Sequence, residues 1–377
     1  MKIAFFTDSL PPSTDGVAHT FTRLAETLHK KGYDYKFFSP FLPTTDFPWQ
    51  NKVTKVPSIP FFLYPQYRIS LPTMKEIEQK LATFKPDIVH VSSPTLLGKI
   101  GLAYARNHYI PAVSSYHTHF ISYFKYYNAS VIENLGWSFL KWFYNQFERV
   151  YVPSHSAVKD LKINGFDKLE LWQRGVNTML FSPQKRDENW RNSISPKGEP
   201  ILLFVGRLVT EKDLYDLVEM EHLLKKKKLD FQLVIVGDGP MRKELEKLIP
   251  QARFLGFLKG EQLAKVYASS DIFTFPSTTE TFGNVVLEAA ASGLPVVGVN
   301  RGGVPDIILD GRTGFIAEAN NPVNFSYYVH VLLSNPNLRK KMACEALRFA
   351  QNFDWDHINT RLISSYQLII KLYQNSN

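Results

Sequence analysis

Ile201-Leu202-Leu203-Phe204-Val205-Gly206-Arg207-Leu208-Val209-Thr210-Glu211-Lys212 passes from five apolar residues through one glycine into a polar turn. A short, wholly apolar run that stops at a glycine is the pattern of a strand buried on both faces, as in a parallel sheet covered by helices. Gln232–Val236, Ile272–Phe275 and Val296–Val299 read the same way in this half. Lys2–Phe6, Tyr35–Ser39, Asp87–Val91, Ala112–Ser115 and Val150–Val152 do so in the other. Between the strands, Val17–Lys30, Met74–Phe84 and Leu96–Asn107 carry helical periodicity. The alternation predicts an α/β chain of two doubly wound, Rossmann-like domains facing across a cleft. The expected segments are 1–183, a linker at 184–199 without apolar periodicity, 200–353, and an amphipathic helix at 354–377 packing back toward the first domain. Ligands of such sheets bind beyond the carboxyl ends of the strands, so chemistry is expected in the loops that follow them.

The chain has 377 residues, enough for two domains, and its 44% apolar and 21% charged residues exclude a disordered or low-complexity chain. One cysteine, Cys344, permits no intramolecular disulfide and no cysteine-based zinc site, as expected in a reducing compartment. No run approaches the ~18 apolar residues of a membrane span, and the first apolar stretch is too short for a signal peptide. The expectation is a cytoplasmic protein. Lys and Arg outnumber Asp and Glu by 44 to 35, and residues 1–183 hold +7 of that +9 together with 33 of the 52 aromatic residues. A basic, aromatic half predicts an anionic partner, either a membrane surface or a nucleic acid.

The loops can be read one by one. Gly16, just before a helix, lets backbone amides approach a phosphate or an acceptor hydroxyl. Its surroundings are neither a GxGxxG fingerprint nor a Walker A loop. His117 and His119 alternate at a strand end, where hydrogen bonding in a cleft is favoured over a metal because no carboxylate or cysteine completes a site. Arg207 and Lys212 suit a diphosphate, one as a fork and the other as a point charge. In Phe275–Glu288 the chain passes an acidic loop and Gly283 before entering a helix. Free amides and a positive dipole end then lie beside Glu280, with Glu288 a turn deeper. Two carboxylates flanking an amide nest suit hydroxyls on either side of a diphosphate, the anatomy of a sugar nucleotide. Asp354-Trp355-Asp356 is spelled like a DxD metal motif, but it opens a helix, where Asp354 serves as an N-cap and Asp356 favours the dipole. No metal is assigned to it.

These residues, in this order, resemble the GT-B glycosyltransferases of family 4. The resemblance rests on Gly206-Arg207-Leu208 with Lys212, on the E-x7-E pair Glu280 and Glu288, and on Ala289–Val297. It continues through Gly302-Gly303-Val304-Pro305-Asp306 and Asp310–Gly314, and reaches the first half through Gly16, His117 and Gly175-Val176-Asn177. It implies a retaining, metal-independent hexosyltransferase without a cofactor. Arg207 and Lys212 would bind the leaving diphosphate, and Gly283, Asn284 and Val285 would offer it amides. Glu288 would hold the ribose and Glu280 the hexose. His117 would contact the hexose near the reacting carbon, and Gly16 would admit the diphosphate or acceptor. Asp15 stands where the family often has a second glycine, and Asp213 where a small residue is common.

Residues 120–147 hold 11 aromatics in 28 positions, with Lys125 and Lys141, and Ile59–Arg68 is similar in character. Such surfaces suit a membrane interface, or else they pack a core. The chain looks most like family members that glycosylate lipids, including α-mannosyltransferases that use GDP-mannose and sulfolipid synthases. The expected reaction moves a hexose from GDP-mannose or a UDP-hexose to a membrane glycolipid or lipid-linked glycan, with the protein peripheral on the inner face of the cytoplasmic membrane. A sugar-nucleotide epimerase of the same fold and a non-catalytic binder of anionic surfaces are the alternatives. Nucleic acid is set aside, because Glu280 and Glu288 would repel a polyanion.

Overall fold

The computed structural model describes residues 1–13, 15–61, 64–117 and 130–376. The chain forms two compact units. One holds Ser130–Arg174, Trp355–Asn377 and the described part of Met1–Ile121, and the other holds Gly175–Asp354.

The first unit is built on seven parallel strands in the order β3-β2-β1-β6-β7-β8-β9. These are β1 (Lys2–Phe6), β2 (Asp34–Ser39), β3 (Val53–Lys55), β6 (Ile88–Val91), β7 (Ala112–Ser115), β8 (Arg149–Val152) and β9 (Leu169–Leu171). The order reverses between β1 and β6, the switch point of a doubly wound sheet. Part of the aromatic excess of this half is core. Phe5 stacks on Phe37 at 4.6 Å and meets the edge of Phe21 at 6.0 Å, all three fully buried. The helix Trp355–Ser376 belongs to this unit. Asp356 pairs with Lys30 at 2.7 Å, and Asn359 donates to the Thr27 hydroxyl at 3.1 Å, both partners lying on the helix Gly16–Lys30. The described part of Ile59–Arg68 contributes to an antiparallel pair of strands, β4 (Ser58–Phe61) and β5 (Tyr64–Ser70).

The second unit has six parallel strands in the order β12-β11-β10-β13-β14-β15. They are β10 (Ile201–Val205), β11 (Gln232–Val236), β12 (Arg253–Gly256), β13 (Ile272–Thr274), β14 (Val296–Val299) and β15 (Gly314–Ala317). Ile201 through Phe204 have no exposed surface, as a central strand covered on both faces requires. The switch point lies between β10 and β13. The stretch 184–199 is folded within this unit. It carries the helix Glu188–Ile194, capped by Asp187 and tied by an Arg191–Asp271 ion pair at 2.7 Å.

Candidate functional site

At the switch point of the second unit, the loops after β10 and β13 are bound to each other. Asp213, in the left-handed region at φ 53°, accepts hydrogen bonds from both the amide and the hydroxyl of Thr278 at 2.8 Å. The Thr279 hydroxyl donates to the Glu211 carbonyl at 2.8 Å. The acid next to Lys212 is therefore turned into a loop-to-loop tie and does not compete for the ammonium. Neighbouring loops press in from the flanks through glycine. A Cβ on Gly237 would lie 1.8 Å from the Gly206 carbonyl oxygen, and one on Gly302, at φ 62°, would lie 2.3 Å from that of Glu280. The Gly303 amide donates to the same Glu280 carbonyl at 2.7 Å.

On this scaffold two of the expected groups, Lys212 and Glu280, are brought into contact, and the others lie on the same loops and the helix that follows. The Lys212 ammonium pairs with the Glu280 carboxylate, and the half-exposed Arg207 guanidinium lies 3.7 Å from Glu211. Gly283, at φ 99°, opens the helix Asn284–Ala291 without a side-chain cap. The amides of Asn284 and Val285 find no acceptor among the described residues. The Asn284 side-chain oxygen is likewise buried without a donor. One turn on, Glu288 accepts from the hydroxyl of the fully buried Tyr267 at 3.1 Å. Burial pushes the Glu288 carboxyl up to about 7, against the pull of that hydrogen bond. Two cations and an uncapped helix start suit an anion, and the carboxylates on either side suit hydroxyls. Tyr267 carries no motif in the sequence, and its place on the helix Gly260–Ser269 is the only signal that could have found it.

The first unit holds Gly16 and His117. Asp15 caps the helix that Gly16 opens, accepting from the amides of Val17 and Ala18 at 2.8 and 2.9 Å, and takes the hydroxyls of Ser9 and Ser13. Two amides of the first turn, those of Val17 and Ala18, are thus already satisfied by Asp15. Thr14, His119 and residues 120–129 lie outside the described residues.

His117 is buried, with its Nδ1 2.8 Å from the Arg174 guanidinium and its Nε2 2.7 Å from the Ser115 hydroxyl. A guanidinium only donates, so Nδ1 is the bare acceptor and the proton sits on Nε2. Ser115 in turn meets His90 at 2.8 Å, and His90 meets the Tyr366 hydroxyl. Burial first, and the Arg174 charge second, hold His117 and His90 far below the usual histidine range. In this arrangement both ring nitrogens of His117 are committed to the protein, which the sequence did not disclose. Asp8, at the switch point of this unit, is also buried and accepts from Ser70 and Thr95 at 2.6 and 2.5 Å.

The helix Ser130–Tyr144 divides its aromatics between two environments. Phe143 and Tyr144 are core, while Trp142 is 56% exposed, Phe139 39% and Leu135 70%. The Lys99 ammonium lies over both exposed rings, 5.3 Å from Phe139 and 5.8 Å from Trp142. Among the described residues, no helix is long and apolar enough to cross a membrane, and no group of three or more His, Cys, Asp and Glu is placed to hold a metal ion.

Comparison with known proteins follows the same division of the chain. Residues 14–180 match the family model described as Glycosyltransferase Family 4, and residues 185–348 match Glycosyl transferases group 1. A GDP-mannose-dependent alpha-mannosyltransferase of Corynebacterium glutamicum is 31% identical over 99% of this chain and 90% of its own. The sulfoquinovosyl transferase SQD2 of Arabidopsis thaliana is 35% identical over 81% of this chain and 61% of its own. An alpha-monoglucosyldiacylglycerol synthase of Streptococcus pneumoniae is 27% identical over 94% of this chain and 83% of its own. Among solved structures, a sucrose-phosphate synthase of Thermosynechococcus elongatus superposes with a TM-score of 0.78 at 20% identity, covering 98% of this chain and 99% of that one, a likeness of fold.

Proposed function

The chain belongs to the family 4 glycosyltransferases of GT-B fold, and on that premise we propose that it moves a hexose from a nucleoside-diphosphate sugar to a lipid acceptor with retention of configuration. The observation that carries the reading is the pairing of Lys212 with Glu280, which joins the loop after β10, where Arg207 also lies, to the loop after β13, which leads into the uncapped helix Asn284–Ala291 bearing Glu288. Arg207 and Lys212 stabilise the charge that grows on the departing diphosphate. Glu288 holds the ribose hydroxyls and Glu280 the hexose hydroxyls. In front-face substitution the bond from the anomeric carbon to the phosphate oxygen breaks as the acceptor oxygen approaches from the same side. The departing phosphate takes the acceptor proton. Lysine, arginine and helix amides supply the positive charge, so the reading requires no divalent cation, and turnover is expected to persist in EDTA.

GDP-mannose is the favoured donor, by likeness to the mannosyltransferases. Support for a lipid acceptor comes from the glucosyldiacylglycerol synthase among the relatives and from the exposed Leu135–Phe139–Trp142 stripe beside Lys99. That stripe, on the more basic half of the chain, suits peripheral docking on an anionic membrane. In the first unit, Gly16 would admit the diphosphate or acceptor, and His117, with both ring nitrogens held by Arg174 and Ser115, would serve as a positioning group rather than a base.

Calorimetric titration with GDP, UDP, ADP and CDP, without added metal, tests the donor site on the parent and on Glu288→Ala. One nucleotide is expected to bind in the micromolar range and to be lost in the variant. A variant that binds like the parent would remove Glu288 from the site.

A further inference from the structure

Lys212 and Glu280 already neutralise each other. Their ammonium and carboxylate form an ion pair within the site, with side chains only 13% and 21% exposed. Neither is free to drift. The Glu280 backbone is clamped by the Gly303 amide and by the close approach of Gly302. Lys212 closes a 3-10 turn whose next residue, Asp213, is tied to Thr278. Among the described residues, no other cation lies within ion-pair distance of Glu280, and no other group donates to its carboxylate.

A diphosphate that draws Lys212 to itself therefore strands a part-buried carboxylate beside a second anion. An unpaired buried charge is costly. A sugar-bearing nucleotide repairs the loss, because its hexose hydroxyls donate to the carboxylate. A nucleoside diphosphate without sugar leaves it unrepaired. We infer that Glu280 makes the site discriminate between the nucleotide sugar and the spent nucleoside diphosphate, with Lys212 returning to Glu280 as the sugar leaves and so promoting product release. The inference rests on the donor site proposed above and assigns Glu280 a second task beyond contact with the hexose.

The test is calorimetric titration of the parent, Glu280→Gln and Lys212→Ala with GDP and UDP, and with GDP-mannose and UDP-glucose. Glu280→Gln removes the charge and keeps the shape. It is expected to bind the free diphosphate about tenfold tighter than the parent, roughly 1.4 kcal/mol, while losing the preference for the sugar-bearing form. Lys212→Ala is expected to weaken both ligands. In a Lys212→Ala background the Glu280→Gln gain should shrink, because part of it comes from releasing Lys212. Thermal melts check folding, and Glu280→Ser serves if the glutamine variant is unstable.

Unchanged or weaker binding of the free diphosphate by folded Glu280→Gln overturns the inference. The donor site still stands in that case, provided Lys212→Ala weakens binding. If the parent binds neither nucleotide nor nucleotide sugar, the site and the inference fall together.

Discussion

Ionising Glu288 in the folded protein works against its surroundings. Its carboxyl titrates at about 7 where an open glutamate sits at 4.5, because burial outweighs the Tyr267 hydrogen bond. The raised value means that the native state holds the proton more tightly than the unfolded chain does. Stability therefore falls as pH climbs from 4.5 through 7, and below 4.5 the group contributes no penalty. At about 1.4 kcal/mol for each pH unit climbed between 4.5 and 7, the penalty is about 3 kcal/mol at pH 8 and under about 1 at pH 5. Glutamine keeps the shape and an acceptor for the Tyr267 hydroxyl but cannot ionise. Glu288→Gln is therefore expected to be about 2–3 kcal/mol more stable than the parent at pH 8, with the gain largely gone at pH 5. The same change should abolish nucleotide binding, which makes it a stabilising mutation with a functional cost. Urea denaturation of both proteins at the two pH values, without nucleotide, measures the difference. A variant less stable than the parent at pH 8, or equally stabilised at both, would refute the reasoning.

Three further outcomes are expected. Gly303→Ala places a Cβ 2.5 Å from the Thr281 carbonyl oxygen and 2.6 Å from the Phe282 Cα; it should cost about 1–3 kcal/mol and weaken nucleotide binding, and a variant melting with the parent would contradict the packing. Arg174→Met removes the donor that keeps His117 Nδ1 bare, while burial still holds the ring neutral, so ¹⁵N spectra should show a neutral Nε2–H ring between pH 5 and 7 in the parent and a neutral ring in mixed tautomers in the variant, whereas a His117 that titrates in the parent would break the assignment. Trp142→Ser combined with Phe139→Ser should reduce co-flotation with anionic vesicles while leaving nucleotide affinity intact, and undiminished flotation would move the docking surface elsewhere.

The central strands were legible because burial on both faces demands unbroken apolar runs, as in Ile201–Val205. The edge strands were not. Leu169–Leu171 and Arg253–Gly256 are short, partly exposed and mixed in polarity, so no periodicity marks them. The helix Glu188–Ile194 escaped for a related reason, since it is held by a cap and an ion pair more than by an apolar stripe. Within the candidate site, the residue types that suit a diphosphate could be read from the loops that follow strands. The partnerships could not. Lys212 and Glu280 are 68 positions apart, and only the sheet order brings their loops together. Asp213 adjoins Lys212 in sequence, but its left-handed backbone and its bond to Thr278 are not marked there. The commitment of His117 to Arg174, 57 positions away, was equally invisible.

The most direct measurement of the central claim is transfer of labelled hexose from GDP-mannose and from UDP-glucose into vesicle lipid, in EDTA, by the parent and by Lys212→Ala, with the anomeric configuration of the product read by NMR. The account predicts an α-linked glycolipid from the parent and near-complete loss of transfer in the variant. A parent that binds and transfers from neither GDP-mannose nor a UDP-hexose, or a Lys212→Ala protein that transfers as the parent does, would contradict it.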